Sequence, residues 1–247
     1  MDCRHTEPRP RPLSLRDSKD GAPVTPFDQA VPFIANPDAT HCYQAALKMV
    51  LRHFRPKSDH SWEALDRVTG KLDGHGTWPF AGLTWLHDQG LDLTNVELMD
   101  NKRFATEGRA YIAELAGQEF ADSHFRVLDL ASVQAEASIF CDKVRCEMRI
   151  PTIDDIRRAV SDGCLVVCNV NSRALNAREG YLGHYVVAKG FDEYCLIVHD
   201  PGPPGTANRK VSFEAFESAW ASPSAAVKWL VVVSNAKTGP SGRRLRR

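Results

Sequence analysis

Three residues far apart in the chain, Cys42, His184 and Asp200, have the types and settings that nucleophilic acyl transfer requires. Cys42 lies in Asn36-Pro-Asp-Ala-Thr-His-Cys-Tyr-Gln-Ala-Ala, where apolar residues begin to recur at helical spacing. A cysteine in the first turn of a helix points its sulfur at unpaired backbone N–H groups and at the positive end of the helix dipole, which favours thiolate over thiol. Taken alone, such a cysteine is more often a small buried apolar group. A base changes that reading. His184 opens the run Gly183-His-Tyr-Val-Val-Ala-Lys-Gly, and Asp200 closes the next apolar run, Cys195 to Asp200. With Phe191 to Tyr194 as the turn between them, the two runs form an antiparallel hairpin. The start of one strand then lies beside the end of its neighbour, so imidazole and carboxylate can share a hydrogen bond. The division of labour would be that of a nucleophile, a general base and an orienting acid.

The elements that must position these groups are legible in part. Asp38 or Thr40 is expected to cap a helix over 41–54, in which Ala45, Ala46, Met49 and Val50 share a face. Further helices are expected over 61–68, 80–88, 106–116, 132–143, 152–163 (opened by a Thr152/Asp155 capping box) and 212–220. Short β-branched runs at 164–170, 184–190, 195–199 and 228–233 read as strands. A helical first part followed by strands implies one α+β domain over 27–235. It is flanked by a proline-rich arm (1–26) and a basic tail (236–247).

Composition narrows the class. The 247 residues carry 31 Lys+Arg against 31 Asp+Glu, so neither nucleic acid nor an anionic membrane is implied as a partner. No apolar run reaches the roughly 20 residues of a membrane span, and the opening MDCRHTEPRPRP has no signal-peptide core; a cytoplasmic protein is expected. Seven cysteines without a secretory signal argue against a disulfide framework. Cys141, Cys146, Cys164 and Cys168 lack the short CxxC spacing of a structural zinc site, and no metal or cofactor is expected.

With these motifs in view, the chain resembles the papain-like peptidases related to the double-glycine leader peptidases that process bacteriocin precursors. The resemblance rests on the helix-opening Cys42 after an extended Val31-Pro-Phe segment, the late Gly183-His-Tyr-Val-Val strand, and Asp200-Pro-Gly; it covers about 31–54 and 180–204. It implies Cys42 as nucleophile, His184 as base and Asp200 as orienting residue. It also implies a papain-like fold in which the nucleophile helix of an N-terminal helical part packs on a C-terminal antiparallel sheet. In that family an amide side chain, usually Gln, stands six residues before the cysteine as an oxyanion donor; here it is Asn36. The family's Cys-Gly-Pro-Ala is replaced by Cys42-Tyr43-Gln44-Ala45.

Five residues are candidates for substrate contact: Tyr43 beside the nucleophile, Trp78 before the third helix, and Arg173, Arg178 and Tyr181 in the loop that precedes His184. The expected activity is a thiol hydrolase acting on a peptide or protein through a thioester. The alternatives are a silent papain-like binding module or an acyltransferase using the same three residues.

Overall fold

The computed structural model describes residues 25–74, 77–118, 121–122 and 129–236. The proline-rich arm up to residue 24, the basic tail from residue 237, and His75 lie outside that range.

One mixed sheet organises the molecule. Its strands are β1 (Phe27–Asp28), β2 (Leu91–Glu97), β3 (Arg145–Met148), β4 (Leu165–Asn171), β5 (Gly183–Phe191), β6 (Cys195–Asp200), β7 (Thr206–Ser212) and β8 (Trp229–Asn235). They run in the order β3-β2-β8-β4-β5-β6-β7, with β1 added on β5. Every pairing is antiparallel except β2 with β3. The expected α+β layering is therefore present, with one extension: β2, from the helical half of the chain, inserts beside β8 and carries β3 at the edge.

The central strands are buried on both faces, which is why LVVCNVN and GHYVVAKGF read as nearly continuous apolar runs. On one face Leu93, Leu165, Val167, Tyr185, Val187 and Val231 meet α1 (Cys42–Phe54), α3 (Phe80–Asp88) and α6 (Leu130–Lys143). On the other face Val166, Cys168, Val186, Val198 and Leu230 meet α7 (Ile153–Ser161) and α9 (Phe213–Trp220). Cys168, and Cys164 just before β4, belong to this second core as ordinary apolar side chains.

Local chemistry sets the helix ends. Ser61 caps α2 (Trp62–Thr69) through the Ala64 N–H, and Gly70 closes it at φ 63°. The Thr152/Asp155 capping box opens α7 as expected. The helix expected over 106–116 is instead two, α4 (Asn101–Glu107) and α5 (Arg109–Ala116), broken at Gly108, whose φ of 55° suits glycine.

The seating of α1 depends on Gly82. A Cβ at this position would stand 2.5 Å from the Tyr43 hydroxyl and 2.9 Å from Leu47 Cδ1. Both are α1 side chains, so α1 and α3 approach through the space glycine leaves. Gly82→Ala is expected to lower unfolding free energy by about 1–3 kcal/mol, read as a lower urea midpoint at unchanged slope. An unchanged midpoint would mean that α1 is not seated by this contact.

Candidate active site

α1 carries Cys42 as its first residue, half-buried at the helix N-terminus. The first turn has no acidic residue, and the N-cap, His41, makes no side-chain cap hydrogen bond. The expected capping by Asp38 or Thr40 is therefore not what the structure shows. Asn36 Oδ1 accepts the His41 N–H at 3.1 Å instead, and Asp38 accepts from Thr40 within the loop. The helix-end N–H groups beside the sulfur are thus left for other acceptors, which is the electrostatic setting a thiolate needs.

His184 stands near the start of β5 and Asp200 at the end of β6. His199 pairs with Val187, so Asp200, one residue further on, shares the sheet face of His184. The His184 Nε2–H donates to Asp200 Oδ1 at 2.7 Å, with the two residues only 6% and 4% exposed. Cys42 lies close enough to the same imidazole to act on its pKa. With Nε2 given to Asp200, Nδ1 is the nitrogen offered to the sulfur, and this tautomer follows from the hydrogen-bond network. Burial alone would pull the His184 pKa down, but Asp200 and Cys42 outweigh it and raise it to about 9.

Asp200 is satisfied on both oxygens. Oδ1 also accepts the Gly202 N–H at 3.0 Å, and Oδ2 accepts Arg209 Nη1 at 2.7 Å. Burial acts upward on its pKa, yet His184, Gly202 and Arg209 together hold it below the usual carboxylate range.

Asn36 is 8% exposed and fastens the two halves of the site together. Its Nδ2 donates to the Gly202 carbonyl at 2.9 Å, and its backbone N–H donates to Pro201. Only one of its two amide hydrogens is used among the described residues.

Of the five substrate-contact candidates, Tyr43 is a core residue and Trp78 packs at the edge of the core. Tyr43 is 1% exposed, its hydroxyl donates to the Pro79 carbonyl at 2.7 Å, and its ring lies against Tyr185. The helix turns position 43 away from the N-terminal opening and into the sheet, so Tyr43 cannot narrow a cleft. Trp78 is half-buried and stacks in parallel on Phe104 at 5.2 Å and on Phe80 at 5.7 Å, so packing accounts for its ring. Arg173, Arg178 and Tyr181 are exposed on the loop preceding His184. The Arg173 guanidinium donates to Glu179 O at 3.2 Å and so braces its own loop.

Sequence reasoning missed two neighbours of the site. Arg209, on β7, grips Asp200. His41 bridges Asp38 at 2.8 Å and Asp66 of α2 at 3.2 Å, tying the loop before Cys42 to the second helix. A histidine beside Cys42, three residues after an aspartate, was the available signal for the second; none pointed to the first.

In chemical terms the arrangement offers a helix-terminal thiol, an imidazole able to take its proton, and a carboxylate holding that imidazole. Among the described residues, no three or more His, Cys, Asp or Glu side chains converge as a metal site. No helix among them is long and apolar enough to cross a membrane.

No curated protein matches the chain. Among solved structures it is similar to the peptidase domain of Streptococcus ComA, a bi-functional ABC transporter, at 15% identity and a TM-score of 0.41, covering 81% of this chain and 96% of that one. It is also similar to a C39-like peptidase from Bacillus anthracis, at 14% identity and a TM-score of 0.47, covering 86% of this chain and all of the other. The family comparison spans the whole site, from the loop before Cys42 to beyond Arg209: residues 24–226 match the model of the Peptidase_C39 like family. By that match the chain belongs to the Peptidase_C39 like family, a family of cysteine peptidase type.

Proposed function

We propose that the protein is a cysteine-dependent hydrolase of peptide or protein amide bonds, with Cys42 as nucleophile, His184 as acid and base, and Asp200 as the orienting carboxylate. The observation that carries this reading is the single buried imidazole that bonds Asp200 at 2.7 Å and lies beside Cys42 at the start of its helix.

His184 Nδ1 takes the Cys42 proton, and the thiolate attacks the substrate carbonyl to form a C–S bond. The oxyanion is held by the backbone N–H of Cys42 and the second amide hydrogen of Asn36. As the C–N bond breaks, the imidazolium returns its proton to the leaving amine, leaving a thioester on Cys42. His184 then deprotonates water, whose oxygen attacks the thioester and releases the acid and the free thiol. Asn36 is one methylene shorter than the family's Gln, and its bond to Gly202 O, rather than side-chain length, fixes where its remaining hydrogen points.

Iodoacetamide labelling at pH 6, followed peptide by peptide in a mass spectrometer, tests the reading. Cys42 is expected to react at least tenfold faster than free cysteine, because the helix terminus and the His184 imidazole flank its sulfur. A rate no greater than that of free cysteine would remove the enzymatic reading.

A further inference from the structure

We propose that Arg209 is a positioning residue for the site: it fixes the Asp200 carboxylate in the orientation that holds His184 and ties that carboxylate to the rim loop. The inference rests on the triad reading above and adds a residue that reading does not contain.

Arg209 makes two directed contacts. Nη1 donates to Asp200 Oδ2 at 2.7 Å, and Nη2 donates to the Leu175 carbonyl at 2.8 Å. Leu175 ends α8 (Ser172–Leu175), the first turn of the loop whose far end leads into His184. The loop is closed at its neck by Asn171, 2% exposed, which donates to Gly180 O and Ser222 Oγ and accepts from the N–H groups of Arg173 and Leu182. Asn171 sets the shape of the loop, and Arg209 sets its distance from the carboxylate.

The backbone is arranged to deliver this side chain. Val198 pairs with Arg209 and Asp200 pairs with Thr206, with a register shift between them. Asn208, immediately before Arg209, has φ 52°, a left-handed conformation that asparagine tolerates better than most residues. A bulge of this kind re-aims the side chains beside it. Val198 and Asp200 share one face of β6, so Arg209, opposite Val198, is a diagonal neighbour of Asp200 within reach of its long side chain. The planar guanidinium can serve two acceptors in fixed directions, which a lysine ammonium cannot do with the same geometry.

A carboxylate can rotate. Without Arg209, Asp200 Oδ2 would be buried without a charged partner and the plane of the carboxylate would be set only by Gly202 N–H and His184. Two effects on His184 then oppose each other. Loss of a positive charge by itself would favour the imidazolium, whereas loss of carboxylate orientation would weaken the bond that supports it. The direction of change therefore separates a positioning residue from a mere neighbouring charge.

The test is a ¹³Cε1 NMR titration of the histidines, with the His184 signal identified by its absence in His184→Gln. In Arg209→Gln the His184 midpoint is expected to fall by about one pH unit, and in Arg209→Lys by less. An unchanged or raised midpoint in Arg209→Gln would overturn the positioning role. Should Arg209→Gln fail to fold, Arg209→Lys decides on the same criterion: a lowered midpoint supports the role, and an unchanged or raised one ends it. Cys42→Ala is the separate control. A His184 midpoint unmoved by that change would sink the Cys–His pairing itself, whatever Arg209 does.

Discussion

Replacing His184 by alanine is expected to lower turnover of a fluorogenic peptide substrate by about three orders of magnitude or more, with the fold retained. The imidazole is asked to do two things in each half-reaction: remove a proton from the attacking group and return one to the leaving group. General acid–base groups contribute roughly 10²–10⁴-fold each time they act, and residues that act as one unit fail together when one is removed. The loss should appear in kcat and in kcat/KM alike, because the proton transfers belong to the transition state. Far-ultraviolet circular dichroism checks the fold. His184→Ala turning over within tenfold of the unmodified protein would rule out His184 as the base.

Removing the carboxylate should be as costly to stability as removing the imidazole is to rate. Asp200 is 4% exposed and joins an imidazole, a backbone N–H and a guanidinium. Deleting one member of a buried charged cluster leaves its partners unpaired, a loss of about 3–5 kcal/mol, so Asp200→Ala should show a strongly lowered urea midpoint. Asp200→Asn should lose less, since an amide oxygen can still accept from His184 or Gly202.

The pH dependence has a definite sign. The Asp200 carboxyl is depressed in the folded state, so its contribution is present above its unfolded pKa and is lost as pH falls. His184 is raised from 6.5 to about 9, so its contribution is complete below 6.5 and is lost as pH rises to 9. Between those two pH values the unmodified protein should lose stability on the order of 3 kcal/mol, and Asp200→Ala should lose much less. Urea midpoints at pH 6, 7.5 and 9 measure both slopes. Parallel slopes would show that Asp200 does not hold the imidazolium.

The helices and central strands were legible because their signals are local. The apolar spacing of α1, the Thr152/Asp155 box and the β-branched runs of β4, β5, β6 and β8 depend on neighbours within one or two turns or pleats. The strands that escaped notice are of two kinds. Leu91-Asp-Leu-Thr-Asn-Val-Glu alternates along β2, with Leu91 and Leu93 buried and Asp92 exposed, so its signal was present. Arg145–Met148 and Thr206–Ser212 are edge strands, mostly exposed and charged, and edges carry such residues to discourage further pairing. Their composition hides the strand, and with β7 it hid Arg209.

The sequence by itself determined which side chains could do chemistry and the local setting of each: a cysteine opening a helix, a histidine opening a strand, an aspartate ending the next. Only the tertiary structure decided what surrounds them. It turned Tyr43 inward, stacked Trp78 on Phe104, and set β7 beside β6 so that Arg209, opposite Val198, reaches Asp200. Backbone preference and hydrophobic period act over a few residues, whereas strand register and the packing of a helix on a sheet depend on groups more than a hundred positions apart, and no short-range pattern encodes them.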